Sequence, residues 1–214
     1  MKDRKQRTIE AQYSKIDVSI AEFDNSHWKQ AQPIRIARLW SGEEAPASRH
    51  AESRIIWTDE ALMVRFECNQ IEPLIVSENP QLTKKTIGLW DRDVCEIFVA
   101  PDTSRPNFYY EFEAAPTGEW VDLAINLGPT ERLADEGFRS GMTTMAQIAG
   151  SKLTIIIRIP WGQALPKPTL GQEWLVNLFR CSGTGTERYL AWRPTYTPEP
   201  NFHVPEAFGW LLFN

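Results

Sequence analysis

The sequence predicts an all-β protein, an antiparallel β-sandwich of ten to twelve short strands with a jelly-roll-like character. Three observations predict it. Short segments alternate apolar and polar residues with a period of two, clusters of Gly, Pro, Asn and Asp separate them, and no convincing amphipathic helix of about twelve residues is found. The 214 residues, 42% hydrophobic and 24% charged, are read as a single domain spanning 1–214, with 1–7 expected to be disordered. A chain of that length buries about 70% of the surface it would expose unfolded, so one substantial core is expected.

Residues 7–20 and 34–39 are the weaker strand candidates, followed by 54–58. Segment 61–69 alternates cleanly, with Leu62, Val64, Phe66 and Cys68 on one face and Met63, Arg65 and Glu67 on the other. Segment 93–100 is apolar on both faces except at Glu96. In 108–115, Phe108, Tyr110, Phe112 and Ala114 oppose Tyr109, Glu111 and Glu113. The turn signal Pro116-Thr117-Gly118 then leads into 120–127, which predicts a hairpin. Further strands are expected at 142–148, 152–159, 173–181, 188–192 and 208–213. Segment 192–205 is too polar and proline-rich for a central strand and reads as a long ordered loop over one end of the sandwich.

A net charge of -5, with acids and bases interspersed, gives no footprint for nucleic acid or an anionic membrane surface. No apolar run approaches the roughly 18 residues of a membrane span. The start lacks the apolar core of a secretory signal, so the sequence as it stands points to the cytoplasm, and to secretion if its N-terminus is truncated. The three cysteines, Cys68, Cys95 and Cys181, form no CxxC and sit in apolar extended segments as buried thiols. His27, His50 and His203 form no ligand pair, and no GxSxG, P-loop or GxGxxG is present.

The candidate chemistry begins at Glu96, a carboxylate inside an otherwise apolar strand, which needs a partner. That partner is either an arginine of a neighbouring strand, Arg65 or Arg180, or a hydroxyl-rich ligand. Trp90 lies just before this strand, and Trp192 where another strand gives way to the long loop. Each is read as core or as a stacking platform; two indoles at strand ends can form a slot for a pyranose ring. The carboxylates Asp91, Asp93, Glu96, Glu111, Glu113 and Asp122 also admit a glycosidase pair or, at Asp91 and Asp93, a calcium site.

The run Leu89-Trp90-Asp91-Arg92-Asp93-Val94-Cys95-Glu96-Ile97-Phe98, followed by Tyr109-Tyr110-Glu111-Phe112-Glu113 and Pro116-Thr117-Gly118-Glu119-Trp120, resembles the family 9 carbohydrate-binding modules. Ile157-Arg158-Ile159-Pro160-Trp161, Asn177-Leu178-Phe179-Arg180, Ala191-Trp192 and Phe202-His203 with Pro205-Glu206 and Phe208-Gly209 resemble later motifs of the same family, so the likeness spans about 55–213. The resemblance implies a β-sandwich that binds sugars non-catalytically, between two tryptophans, as part of polysaccharide catabolism. By position it implies stacking by Trp90 and Trp192 and hydroxyl recognition by Glu96, Tyr110, Glu111 and Arg180. The ligand class is a mono- or oligosaccharide, with no cofactor required and structural Ca²⁺ as a family feature. Two departures stand out: Glu111 occupies the place where an arginine is expected, and no asparagine matches close before the second tryptophan. The other readings are a glycoside hydrolase, a haem-binding redox module drawing on Met63, Met142, Met145 and His203, and a decayed site that mediates protein contacts.

Overall fold

The computed structural model describes residues 4, 7–162 and 164–214. After β1 (Thr8–Tyr13) comes a short helix, α1 (Ser26–Gln30), and then β2 (Ile34–Ile36), β3 (Arg38–Leu39), β4 (Ala51–Trp57) and β5 (Ala61–Asn69). A long connection leads to β6 (Val94–Ala100), β7 (Phe108–Ala114), β8 (Trp120–Leu127) and β9 (Arg132–Asp135). The remainder is β10 (Thr143–Ala149), β11 (Lys152–Pro160), β12 (Glu173–Cys181), β13 (Tyr189–Ala191) and β14 (Gly209–Phe213).

The described residues thus form fourteen strands where the sequence predicts ten to twelve. One of the two additional strands comes from 34–39, which divides into β2 and β3. The other is β9, whose four residues are all exposed and carry no hydrophobic alternation to betray them. The β7–β8 hairpin forms as expected: Ala114 pairs with Trp120, and Gly118, at φ 87°, closes a turn that a side chain would strain. Of the segment expected to be disordered, Arg4 and Arg7 are placed, with Arg4 Nη2 2.6 Å from Glu173 Oε2; residues 1–3, 5 and 6 lie outside the described residues. Among those described, no helix is long and apolar enough to cross a membrane.

The strands run in the order β10-β11-β5-β4-β1-β14-β12-β6-β7-β8-β9, with β2 added to β4, β13 to β12 and β3 to β13. Among the described strands only β1 pairs in parallel, with β4 on one side and β14 on the other, and so joins two antiparallel arms. The arms face each other. Cys68 of β5 and Cys95 of β6 meet with their sulfurs 3.5 Å apart. Arg180 of β12 reaches across to the carbonyls of Arg49, His50 and Asn69, at 3.0, 3.1 and 2.8 Å, and to Gln70 Oε1 at 2.8 Å. Between the arms lies the main apolar core, which includes Trp57, Phe66, Ile97, Phe112, Ile157, Trp174 and Leu178.

The period of two sorts the second arm into an inner and an outer face. Register pairs Cys95 with Arg180 and Ala114, and Ile97 with Leu178 and Phe112, so these residues turn inward. Glu96 lies beside Phe179 and Glu113, and Phe98 beside Asn177 and Glu111, so these turn outward. The outer face is nonetheless covered: Phe202 of the 192–205 loop stacks on Phe179 at 4.0 Å between centroids and 12° between planes. Contacts of that kind contribute about 0.5–1.5 kcal/mol beyond area burial and hold the loop down.

Candidate functional site

Under that loop, over the outer face of β6, β7, β8 and β12, lies a cavity of about 370 Å³. This is at the lower end of small-molecule sites, large enough for one or two sugar rings. Glu96, Glu111 and Glu113 reach it from the sheet, Leu123 and Ile125 give it an apolar side, and Pro200, Asn201, Phe202 and His203 close it from the loop. Trp90 and Tyr189 also line it.

Trp90 owes its position to the connection between β5 and β6. That connection is fixed at several points: Glu72 to Arg49 at 2.8 Å, Ile75 N to Asp93 Oδ2 at 3.2 Å, and Gln81 N to Glu119 Oε1 at 3.3 Å. It ends in a 3₁₀ turn, Leu89–Asp91, preceded by Gly88 at φ 82°, a left-handed conformation that favours glycine. Leu89 is buried and anchors the turn, leaving the Trp90 ring 36% exposed. Arg188 then ties the turn to β13 by donating to the Arg92 carbonyl at 2.7 Å.

Glu96, Glu111 and Glu113 are all buried. Glu96 accepts from the Cys181 thiol at 3.4 Å, a weak donor. No ordinary donor reaches Glu111 Oε2 or either oxygen of Glu113, and the two carboxyls hydrogen-bond to each other through a shared proton. Burial, together with the negative charge of Glu111, pushes Glu96 up to about 8. Burial raises Glu111 as well, and it raises Glu113 well above the usual carboxylate range with the added repulsion of Glu96 and Glu111. Glu96 therefore keeps its proton at neutral pH, as a carboxyl group beside others in a dry site does.

His203 stands over them. Its Nδ1 is 2.8 Å from the Tyr109 hydroxyl, and burial, then the charge of Arg132, lowers it to about 3, so the ring is neutral. Its Nε2 is 3.9 Å from Glu111 Oε2, beyond hydrogen-bond reach.

The six residues singled out from the sequence divide evenly. Trp90, Glu96 and Glu111 come together in the cavity. Tyr110 follows the other parity of β7 and stacks on Phe138 at 5.2 Å, away from Glu111. Arg180 is on the inner face, engaged with the opposite arm, so it is not the partner of Glu96. Arg65 is not that partner either, since it pairs with Glu67 at 3.0 Å. Trp192 donates its backbone N–H to the Leu178 carbonyl, and its ring fills the space above Gly209, where any Cβ would collide with it.

Compared with known proteins, residues 21–214 match the family model described as carbohydrate family 9 binding domain-like. The chain belongs to that family. Among solved structures, a candidate carbohydrate-binding protein from Bacteroides uniformis is similar over 97% of this chain and 99% of its own, at 17% identity and a TM-score of 0.76. A family 9 carbohydrate-binding module from Caldicellulosiruptor kristjanssonii is similar in its complex with glucose, at 17% identity, a TM-score of 0.67, and 97% and 95% coverage. Its complex with cellotriose gives 17% identity, a TM-score of 0.66, and 97% and 93% coverage. No curated protein is significantly similar in sequence.

Within this family 9 domain, sequence reasoning named Glu113 only as one of a possible glycosidase pair and 192–205 only as a loop over one end of the sandwich, and it missed Tyr189; all three meet in one cavity. Tyr189 pairs with Cys181, and Ala191 with Phe179, so both share the outer face with Glu96 while Trp192 does not. Counting by twos from Cys181 would have found Tyr189. Of the two residues expected to hold calcium, Asp91 lines the cavity and Asp93 is engaged with the backbone. Asp93 accepts from the backbone N–H groups of Ile75 and Gly183, and no group of three or more acidic, His or Cys side chains among the described residues is placed to hold a metal ion. The residues considered for haem do not converge: Met63 packs with Trp28, Ile56 and Ile156, Met142 and Met145 border a different groove, and His203 is in the cavity.

Proposed function

We propose that this family 9 domain binds carbohydrate without transforming it, holding a mono- or oligosaccharide in the cavity beside Trp90 in the service of polysaccharide breakdown. The observation that carries the reading is a partly exposed indole beside a cavity lined with buried carboxyl groups. A pyranose offers C–H-rich faces that stack on an indole and edge hydroxyls that bond to carboxyls. Trp90 supplies one stacking surface, and Tyr189 takes the part that the sequence assigned to Trp192. Glu96 and Glu111 take hydroxyls, a role that suits a protonated carboxyl because it donates as well as accepts. The two arms are read as the layers of a jelly-roll-like sandwich, with the outer face of one layer as the binding face. Neighbours of similar fold in complex with glucose and cellotriose support a glucose-type ligand.

The test is a tryptophan-fluorescence titration with glucose and with cello- and xylo-oligosaccharides. A saturable shift is expected, of modest affinity because one sugar makes few contacts. Trp90→Ala should abolish it while the protein stays folded. No shift with any sugar counts against the reading, and binding that survives the substitution puts the site elsewhere. One observation favours a second reading: Glu96, protonated at neutral pH beside Glu111, has the character of a general acid. Hydrolysis of nitrophenyl glycosides that is lost in Glu96→Gln would support a hydrolase instead.

A further inference from the structure

Every other buried carboxylate among the described residues has a strong partner of its own. Asp122 is paired with Lys85, whose ammonium lies 2.7 Å from Asp122 Oδ1 and donates to the Asp122 and Phe138 carbonyls at 2.5 Å each. Glu119 holds Arg92 at 3.3 Å and also accepts from Thr117 Oγ1 at 3.0 Å. Asp93 accepts the Gly183 N–H at 2.9 Å and the Ile75 N–H at 3.2 Å. In the cavity this pattern stops. Glu113 and Glu111 have only the hydrogen bond between their own carboxyls, with no cation or backbone N–H to meet them, and Glu96 has a thiol.

The surrounding bases do not make up the difference. Asp91 and Glu136 add two more acids to the cavity wall, against Arg132 on an exposed strand and a neutral His203. Arg188 approaches from the turn just before β13, but it donates to the Arg92 carbonyl and lies 5.2 Å over the Tyr189 ring. A polyhydroxylated neutral ligand would engage single oxygens and leave several buried acids facing one another. A cation with three N–H donors could bridge them, as the Lys85 ammonium, from the β5–β6 connection, bridges one carboxylate and two carbonyls.

We propose that the preferred ligand of this cavity is a sugar bearing a free primary amine, of the 2-amino-2-deoxyhexose class, with its ammonium among Glu96, Glu111 and Glu113 and its ring against Trp90. The inference rests on the carbohydrate-binding reading and narrows it to a ligand class. It carries a proton signature. The empty site holds protons on its carboxyl groups, and an arriving ammonium favours their ionised forms, so binding releases protons to solvent.

The experiment is calorimetric titration with glucosamine, glucose and N-acetylglucosamine at about pH 6.5, where a sugar amine is charged, in two buffers of different ionisation enthalpy. Glucosamine should bind at least about ten-fold more tightly than the other two and release protons, whereas glucose should not. Glu113→Gln, which keeps the shape but cannot ionise to meet an ammonium, should cancel the preference and leave glucose binding in place. If that variant does not fold, the unsubstituted protein still decides: equal heats in the two buffers with glucosamine, meaning no proton release, would overturn the amine inference. Glucosamine binding no better than glucose would overturn the amine inference and leave sugar binding standing. Failure of all three sugars to bind would overturn both.

Discussion

The six buried carboxylates of the described residues fall into two sets of three that differ in what they meet. Asp93, Glu119 and Asp122 hold the long β5–β6 connection and the β8 region to the sheet through backbone N–H groups, Arg92 and Lys85. Glu96, Glu111 and Glu113 stand in register on the outer face of β6 and β7 and have no such partners. The first set is structural, because each member completes a bond that orders the chain. The second is what a folded protein tolerates where something else is to be bound, since a buried polar group without a partner costs about 1–3 kcal/mol.

The sharpest way to break the distinction is to take a partner from the first set. Lys85→Met leaves Asp122 buried without its cation and should cost about 3–5 kcal/mol in denaturant unfolding. A loss below about 1 kcal/mol would mean that the pair is not structural.

A smaller effect separates the sets by pH. Above its ordinary value of 4.5 a carboxyl in the unfolded chain has lost its proton, whereas Glu96 in the folded protein keeps it to about 8. The folded state therefore binds more protons, and the contribution of Glu96, complete below about 4.5, is lost as the pH rises towards 8, at about 1.4 kcal/mol per pH unit per proton. His203 opposes this only below its ordinary 6.5, because the folded protein holds it near 3. Thermal melts from about pH 6.5 to 8.5 should therefore show a decline in stability that is shallower in Glu96→Gln. Parallel slopes in the two proteins would show that Glu96 ionises normally.

The smallest expected effect is that of Glu113→Gln. It replaces one neutral group by another of the same shape and should change stability by no more than about 1 kcal/mol. A cost close to that of Lys85→Met would place Glu113 among the structural acids.

Much of this was legible in the residues, for a physical reason. Strands with one face on a core announce themselves by alternation, and 61–69, 120–127 and 173–181 are found with their expected bounds. β9 is exposed throughout and gives no such signal. Glu96 is visible because it is the lone charge in an apolar strand. The site is only half legible because motif matching ignored the pleat. Tyr110 next to Glu111, and Trp192 next to Ala191, cannot point the same way from one strand. Parity from Glu96 through Phe179 and Cys181 leads to Tyr189 and away from Arg180. What parity cannot reach is the placement of 200–203, which depends on Phe202 stacking on Phe179 and His203 meeting Tyr109, contacts distant in sequence.

The most direct test of a carbohydrate site on the unpartnered face is a crystal of the protein soaked with a mono- or disaccharide. A ring lying against Trp90 is expected, with Tyr189 on its other side and oxygen or nitrogen atoms within hydrogen-bond distance of Glu96 and Glu111. A sugar bound beside Trp192 or elsewhere on the surface, with the cavity over β6 and β7 left as it is, would contradict it.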